Sequence, residues 1–165
     1  GLDKEEIEKV FRRFELPYET GQVSPEQFWK DFLRELKLEL PIDEVREVFF
    51  KSYRVNREML DFVFELKKTH RTILLTNNYA DVIERIKIIF VLDKYFDRVY
   101  SSSEIGFKKP EKAAYEYVLN DLKILPEQAV FIDDKAKNVV GAQNVHIPAI
   151  LFENLEQLKE AFKKF

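Results

Sequence analysis

The sequence predicts an α/β fold in which a helical module precedes a parallel sheet covered by helices. From residue 70 onward, short apolar runs alternate with helical patterns of 10–13 residues, as they do in parallel sheets with both faces covered. Before residue 68, apolar residues recur only at the spacing of amphipathic helices. The 15 Phe and 7 Tyr supply ample apolar surface for a core, which excludes a disordered chain.

Residues 1–55 predict a helical cap module of three helices. Asp3 begins the first helix in the manner of a capping box, and Pro17 and Gly21 predict the turn that follows it. Ser24 begins the second helix, because it is followed by proline in the first turn and by glutamine at the third position. The third helix is expected to begin at Pro41.

Residues 56–165 predict the sheet domain, a three-layer, Rossmann-like arrangement that opens with a helix at about residues 56–68. Its strands are expected at 71–75, 98–101, 129–132 and 149–152, and its later helices at 81–90, 111–123, 137–145 and 154–165. The segment 102–110 is expected to form a loop after the second strand.

Composition excludes several classes of protein. With 27 Lys and Arg against 30 Asp and Glu, the net charge of −3 gives no general attraction to nucleic acid or to an anionic membrane. The absence of cysteine excludes disulfides, zinc–thiolate sites and cysteine nucleophiles. No apolar run approaches the ~20 residues of a membrane helix, and no signal peptide is visible. We therefore expect a cytoplasmic protein without nucleic-acid or membrane partners.

Three groups of polar residues follow predicted strands, at the edge where parallel sheets bind their ligands. Thr76-Asn77-Asn78 follows the first strand, Lys108-Lys109 lies in the loop after the second, and Asp133-Asp134 follows the third. A hydroxyl with amides, a cation and a carboxylate pair suit a phosphate and a hard divalent metal. Each group alone is also explained by turn chemistry, solvated charge or a helix cap. Together, in this order, they favour a combined phosphate and metal site.

The same segments resemble three sequence motifs of the haloacid dehalogenase superfamily. Ile73–Asn77 resembles the second motif of the superfamily, and Ser103–Pro110 resembles the third. Val130–Asp134, followed by Asn138 and Gly141, resembles the fourth. The match covers about residues 56–165 and implies that they form the α/β core of the family.

The resemblance extends to the helical front of the chain. Residues 18–24 are similar to cap sequences in the phosphatase branch of the superfamily. The resemblance therefore implies that residues 1–55 are the helical cap, which the family inserts between its first and second motifs.

The resemblance also implies roles for residues that would contact a phosphoryl group. Thr76 would donate a hydrogen bond to a phosphoryl oxygen, helped by the amide of Asn77. Lys109 would neutralise the phosphoryl group and pair with Asp133. Lys108 has a weaker claim to this role, because the family places its lysine directly before the proline.

The fourth motif implies a magnesium site. Asp134 would bind Mg²⁺, with Asp133 beside it in the motif. Asn138 lies one helical turn later and would support the same site. Without the carboxylate of the first motif, Mg²⁺ is expected to bind weakly or not at all to residues 1–165.

The first motif of the family, which carries the nucleophilic Asp at the end of the first strand, is not found in the sequence. The resemblance implies that this strand lies between the strands at 71–75 and 129–133. We therefore expect these two strands to be unpaired with each other. An upstream segment, a strand from a second copy in a homodimer, or a rearranged sheet could fill the gap, and the first is favoured.

Together these features predict a Mg²⁺-dependent phosphatase that acts on a small phosphorylated molecule through an aspartyl-phosphate, with the nucleophile outside this chain. A dehalogenase fits the metal-type carboxylates Asp133 and Asp134 less well, and a phosphomutase stays open. The alternative is a noncatalytic remnant of the fold that acts as a binding or oligomerisation module. Either way, residues 1–165 alone are expected to be inactive.

Overall fold

The structure, a computed structural model, describes residues 3–165 of the chain. Its α-helices are α1 (Lys4–Glu19), α2 (Pro25–Glu35), α3 (Ile42–Phe50), α4 (Arg57–Leu66), α5 (Ala80–Ile89), α6 (Ser102–Ile105), α7 (Lys112–Leu122), α8 (Ala136–Gln143) and α9 (Leu155–Phe162). Its strands are β1 (Ile73–Thr76), β2 (Arg98–Ser101), β3 (Phe131–Asp133) and β4 (Ala149–Leu151). Four helices followed by alternating strands and helices confirm the predicted α/β class.

The turn predicted at Pro17 and Gly21 is confirmed at Gly21 but is wrong at Pro17, because α1 continues through the proline to Glu19. The N–H of Thr20 donates to the carbonyl of Leu16 at 3.1 Å, so the last turn closes although Pro17 has no N–H to donate. The chain turns at Gly21, as predicted, and the φ of +71° at this residue is in the left-handed region that favours glycine.

The loop predicted at 102–110 is wrong in its first half, which forms the short helix α6. Glu104 stabilises the start of this helix, because its carboxylate accepts a hydrogen bond from the backbone N–H of Ser101 at 3.3 Å. The helix ends at Gly106, with φ of +79°. The remaining residues, 106–110, form the segment that we call the Lys109 loop.

The three cap helices pack around one aromatic cluster that also includes residues of the sheet domain. The buried members of the cluster are Tyr18, Phe28, Trp29, Phe32, Leu33, Leu36, Tyr79 and Val82. Tyr18 is stacked between Phe28 and Tyr79, at centroid distances of 3.9 and 4.3 Å. Because Tyr79 and Val82 lie at the start of α5, this cluster joins the cap to the sheet domain.

The four strands form two parallel pairs. In the first pair Ile73 of β1 lies opposite Arg98 of β2, and in the second Phe131 of β3 lies opposite Ala149 of β4. Within residues 3–165 these pairs are separate two-stranded sheets, so β1 and β3 are not paired with each other, as the sequence predicts. All residues of β1 are only partly buried, whereas the central strands of parallel sheets are covered on both faces.

Both strand pairs nevertheless contact one hydrophobic core beneath α7 and α8. Its buried members are Tyr115, Leu119, Ala142, Val145 and Ile147. Leu75 of β1 and Phe131 of β3 both pack against this cluster. The two strand pairs are thereby packed against the same core. Among the described residues, no helix is both long enough and apolar enough to cross a membrane.

Candidate phosphate and metal site

The Lys109 loop connects the carboxyl ends of the two strand pairs. Just after β1, the Asn77 side chain accepts a hydrogen bond from the Lys109 N–H at 2.8 Å and donates one to the Lys109 carbonyl at 2.8 Å. At the end of β3, the Asp133 carboxylate forms an ion pair with the Lys109 ammonium at 2.7 Å. Lys109 is thus in direct contact with two other residues predicted for the site, Asn77 and Asp133.

The ion pair between Lys109 and Asp133 is shielded from solvent. The two side chains are only 11% and 6% exposed, respectively. The Lys109 ammonium also lies 5.5 Å from the centroid of the Phe131 ring, within the range of a cation–π interaction. Such a pair is costly to desolvate and persists when further hydrogen bonds satisfy its members.

The Asp133 carboxylate has those further hydrogen bonds. Its Oδ1 accepts one from the backbone N–H of Lys135 and one from the side-chain amide of Asn138, each at 2.9 Å. Burial alone raises the pKa of Asp133, but the Lys109 ammonium and these two hydrogen bonds hold that pKa below its usual range. Asp133 is therefore ionised at neutral pH and keeps Lys109 in place.

Asn138 is fixed on α8 with one polar atom unsatisfied. Its backbone carbonyl accepts a hydrogen bond from the buried Tyr115 hydroxyl at 2.7 Å, and its side-chain amide donates to Asp133. The side-chain oxygen, Oδ1, is buried and has no hydrogen-bond partner among the described residues. A buried polar atom without a partner is costly, so this oxygen indicates a place for a further group.

The other two predicted site residues, Thr76 and Asp134, are located at the ends of β1 and β3. Thr76 is half-buried as the last residue of β1, and its hydroxyl makes no hydrogen bond within residues 3–165. Asp134 is exposed directly after β3. Both side chains therefore remain available to a ligand at the edge of the sheet that carries Lys109.

The residues present fit a hard divalent cation only in part. Asp134 offers a carboxylate, and the unpartnered Oδ1 of Asn138 offers an amide oxygen, both of which are ligand types that Mg²⁺ accepts. Residues 3–165 contain no cluster of three or more acidic or histidine side chains that could enclose a metal ion. Mg²⁺ commonly uses one or two carboxylates and several waters, so this incomplete set still suits it.

Cap residues contact the immediate neighbours of the site residues. Lys108, next to Lys109, pairs with Glu19 at the end of α1, at 2.8 Å. Asn78, next to Asn77, accepts a hydrogen bond from the Tyr53 hydroxyl at 3.3 Å. Burial and nearby carboxylates raise the pKa of Tyr53 to about 12, so its hydroxyl keeps its proton at neutral pH.

Sequence reasoning assigned no function to Glu19 or Tyr53. The contacts of these residues span 89 and 25 positions of chain, respectively, so no rule of local spacing pairs them with the site. The similarity of residues 18–24 to phosphatase caps is a signal that points to Glu19. For Lys108 the structure shows a contact with the cap rather than with Asp133.

The fold and the site define a class of protein: a parallel α/β domain with a helical cap, whose strand ends carry a Thr-Asn pair, a Lys–Asp ion pair and an exposed carboxylate. The profile of one family, "Hydrolase: haloacid dehalogenase-like hydrolase", matches residues 3–146. The chain belongs to this family of haloacid dehalogenase-like hydrolases, which confirms the resemblance of the motifs.

The chain is similar to two longer proteins over part of their length. It is 26% identical over 153 residues to D-ribitol-5-phosphate phosphatase of Bacteroides thetaiotaomicron, which covers 88% of this chain and 69% of the phosphatase. It is 32% identical over 115 residues to bifunctional epoxide hydrolase 2 of Rattus norvegicus, which covers 67% of this chain and 21% of that protein. The chain thus matches about a fifth of the length of one relative and about two thirds of the other.

A solved structure supports the fold. The crystal structure of a HAD family enzyme from Bacteroides thetaiotaomicron, in complex with magnesium, has a TM-score of 0.83 and 22% sequence identity to this chain. The superposition covers 98% of this chain and 91% of that chain. At this identity the likeness establishes the fold alone.

Proposed function

We propose that this chain carries the phosphate-binding and cap portions of a magnesium-dependent phosphatase that acts on a small phosphorylated molecule. The observation that carries the proposal is Lys109, whose backbone is fixed by Asn77 and whose ammonium is fixed by Asp133. A little-exposed cation held from two sides at the carboxyl edge of a parallel sheet is suited to bind an anion.

The chemistry of Lys109 leaves capacity for a ligand. An ammonium has three N–H donors, and Asp133 takes one, so two remain for phosphoryl oxygens. The Thr76 hydroxyl and the backbone N–H of Asn77 are proposed as further donors to the same phosphoryl group. These groups would stabilise the negative charge that develops on the oxygens during transfer.

Asp134 and Asn138 are proposed to hold Mg²⁺, with Asp133 beside them. When bound, the cation would supply charge neutralisation at the phosphoryl group. The Oδ1 of Asn138 supports this assignment, because this buried amide oxygen has no hydrogen-bond partner and would gain one by acting as a ligand of the cation. Asp133 acts through Lys109, since both of its oxygens are already hydrogen-bonded.

The attacking carboxylate is proposed to lie outside residues 1–165. Its oxygen would form a bond to phosphorus as the bond from phosphorus to the ester oxygen breaks, and the departing oxygen would take a proton from solvent water. A second water would then hydrolyse the aspartyl-phosphate to the free carboxylate and inorganic phosphate. Asp3 does not fit this role, since it lies at the exposed start of α1. The unpaired and partly exposed strand β1 supports a further strand beside it, which could carry the nucleophile.

The substrate is proposed to be a phosphate monoester of a hydroxylated molecule. The cap presents polar groups beside the site: Glu19 on Lys108 and Tyr53 on Asn78. Carboxylate, ammonium and phenol groups can hydrogen-bond to hydroxyls. The similarity to a ribitol-5-phosphate phosphatase agrees with this class of substrate.

The test is hydrolysis of p-nitrophenyl phosphate with Mg²⁺, by residues 1–165 and by the source protein after its intact mass is measured. We expect negligible turnover by residues 1–165 and turnover by a heavier source protein. In that protein Lys109→Met should reduce kcat/KM about 100-fold or more. The matched control is Lys112→Met, which removes an exposed lysine of α7.

Two results would contradict the proposal. Robust turnover by residues 1–165 alone would show that the nucleophile lies within them. A source protein of the same mass as this chain, without turnover but able to bind phosphate, would support the noncatalytic alternative, a binding module that keeps the fold.

A further inference from the structure

Asp81 is a buried carboxylate with an unusual number of long-range partners. Its side chain is only 3% exposed. It accepts hydrogen bonds from the Tyr18 hydroxyl, from Trp29 Nε1 at 3.4 Å and from Arg46 Nε at 3.0 Å. We call these four residues the Asp81 cluster.

The three donors of the Asp81 cluster come from three different cap helices. Tyr18 belongs to α1, Trp29 to α2 and Arg46 to α3. Asp81 itself lies in the first turn of α5, four residues after Asn77. One carboxylate of the sheet domain therefore holds all three cap helices.

Residues 77–85 make contacts both with the candidate site and with the cap. At one end, Asn77 is bonded in both directions to the backbone of Lys109. Further along, Tyr79 donates to Glu15 of α1 at 2.9 Å. At the other end, Arg85 pairs with Glu47 of α3 at 2.8 Å. This segment therefore connects the cap to the Lys109 loop, in addition to the direct ion pair between Lys108 and Glu19.

Displacement of Asp81 cannot remain local. A nearly inaccessible carboxylate that loses donors must find new ones or move toward water, because an unpaired buried charge is strongly unfavourable. Three residues separate it from Asn77, and two of them, Asn78 and Tyr79, are buried. The shift would therefore reach the two hydrogen bonds that place the Lys109 loop.

We propose that Asp81 is a positioning residue: it ties the cap to the segment 77–81 and thereby sets the position in which Asn77 holds the Lys109 loop. It touches neither Lys109 nor the proposed phosphate and acts only through Asn77. The proposal rests on the proposed function only in regarding this loop as the phosphate site.

The direct test is hydrogen exchange measured by NMR in Asp81→Asn, which removes the charge and keeps the shape. The reporter is the amide of Lys109, which donates to Asn77, and the reference is the amide of Phe131, which donates to Pro148 in the sheet. We expect the protection of Lys109 relative to Phe131 to fall about 10-fold, within the range of typical site-to-site couplings.

The matched control is Asp97→Asn. The Asp97 carboxylate accepts a hydrogen bond from the Thr72 N–H at 2.8 Å, at the end of β1 away from the site. Its loss should lower the protection of the Lys109 and Phe131 amides together and leave their ratio unchanged. An unchanged ratio in Asp81→Asn, or an equal change of the ratio in both variants, would overturn the proposal.

A milder variant covers the case in which Asp81→Asn does not fold. Tyr18→Phe removes one donor to Asp81 and keeps the stacked ring, and it should lower the protection ratio about 3-fold in the same direction. No change in that ratio would count against the proposal. The exchange experiment contains no phosphate, so failure of the wild-type protein to bind inorganic phosphate would overturn the proposed function and leave the role of Asp81 standing.

Discussion

Two aspartates of this chain are almost inaccessible to solvent, and the comparison between them separates the site from the assembly that supports it. Asp133, whose side chain is 6% exposed, is held by the Lys109 ammonium and by hydrogen bonds from within the sheet domain. The side chain of Asp81 is 3% exposed and is held by the cap. The most distant partner of Asp133 lies 24 residues away in sequence, whereas the donors in the Asp81 cluster lie 35 to 63 residues away.

The surroundings of the two carboxylates differ in what remains unsatisfied. Around Asp133, two N–H groups of Lys109 and the Oδ1 of Asn138 still lack partners within the described residues. Around Asp81, four donors, including the N–H of Val82, all come from the protein. The groups without partners near Asp133 indicate a place where a ligand can bind. The carboxylate of Asp81, whose hydrogen bonds all come from the protein, instead stabilises the contact between the cap and the sheet domain.

The largest expected effect is on the Asp133 side of this comparison. Lys109→Met leaves the carboxylate of Asp133 buried without its cation, and we expect the free energy of unfolding to fall by about 3 kcal/mol. Urea unfolding followed by circular dichroism measures this loss. Binding of inorganic phosphate, measured by calorimetry, should weaken in the same variant.

Lys108→Met provides the comparison one residue earlier. Lys108 and Glu19 are 30% and 12% exposed, so their ion pair is less desolvated than that of Lys109. We expect this variant to lose about 1 kcal/mol or less. A loss equal to that of Lys109→Met would show that the two ion pairs contribute equally to the free energy of unfolding, despite their different exposure.

The sequence predicts the surroundings of Asp133 but not those of Asp81. Asn77, Lys109 and Asp133 could be identified because each lies in a short motif at a strand end, and the sheet brings strand ends together. The Asp81 cluster could not be predicted, since its members are separated by stretches of chain whose relative placement depends on the packing of three helices. Apolar spacing identified those helices correctly but not the buried carboxylate between them.

The errors at α1 and α6 have a local cause. Pro17 is tolerated near the end of a helix because the neighbouring amide of Thr20 still closes the last turn. Ser102–Ile105 is too short for apolar periodicity to reveal it. The sequence thus predicts which segments exist more reliably than where they begin and end.

Two glycines allow close contacts, one between the cap and α6 and the other beside the Lys109 loop, so alanine substitutions compare the two regions. A Cβ at Gly21 would lie 2.1 Å from the carbonyl oxygen of Ser103, and φ of +71° also disfavours alanine. We expect Gly21→Ala to cost about 2 kcal/mol, because the cap must move away from α6. Thermal unfolding monitored by calorimetry measures the change.

Gly141→Ala is the corresponding change beside the Lys109 loop. Its Cβ would lie 2.7 Å from the Pro110 carbonyl oxygen, but alanine in a helix regains about 1 kcal/mol of propensity. We therefore expect a net loss of about 1 kcal/mol, smaller than that of Gly21→Ala. The reverse order of the two losses would show that the cap contact at Gly21 adapts more easily than the site.

The last expected effect concerns the charge of Asp133 as the solution becomes acidic. The pKa of Asp133 is lowered in the folded protein from an ordinary value of 3.8, because its partners favour the charged form over the opposing effect of burial. A lowered folded-state pKa stabilises the protein above the unfolded-state pKa, and this stabilisation is lost as the pH falls through the folded value.

The variant Asp133→Asn lacks this contribution at every pH. The wild-type protein should therefore be more stable than Asp133→Asn at pH 7, and the difference should shrink from about pH 4 downward, by at most about 1.4 kcal/mol per pH unit. Urea midpoints measured between pH 7 and pH 2 test this, and a constant difference across that range would mean that the hydrogen bonds of Asp133, rather than its charge, hold Lys109 in the site.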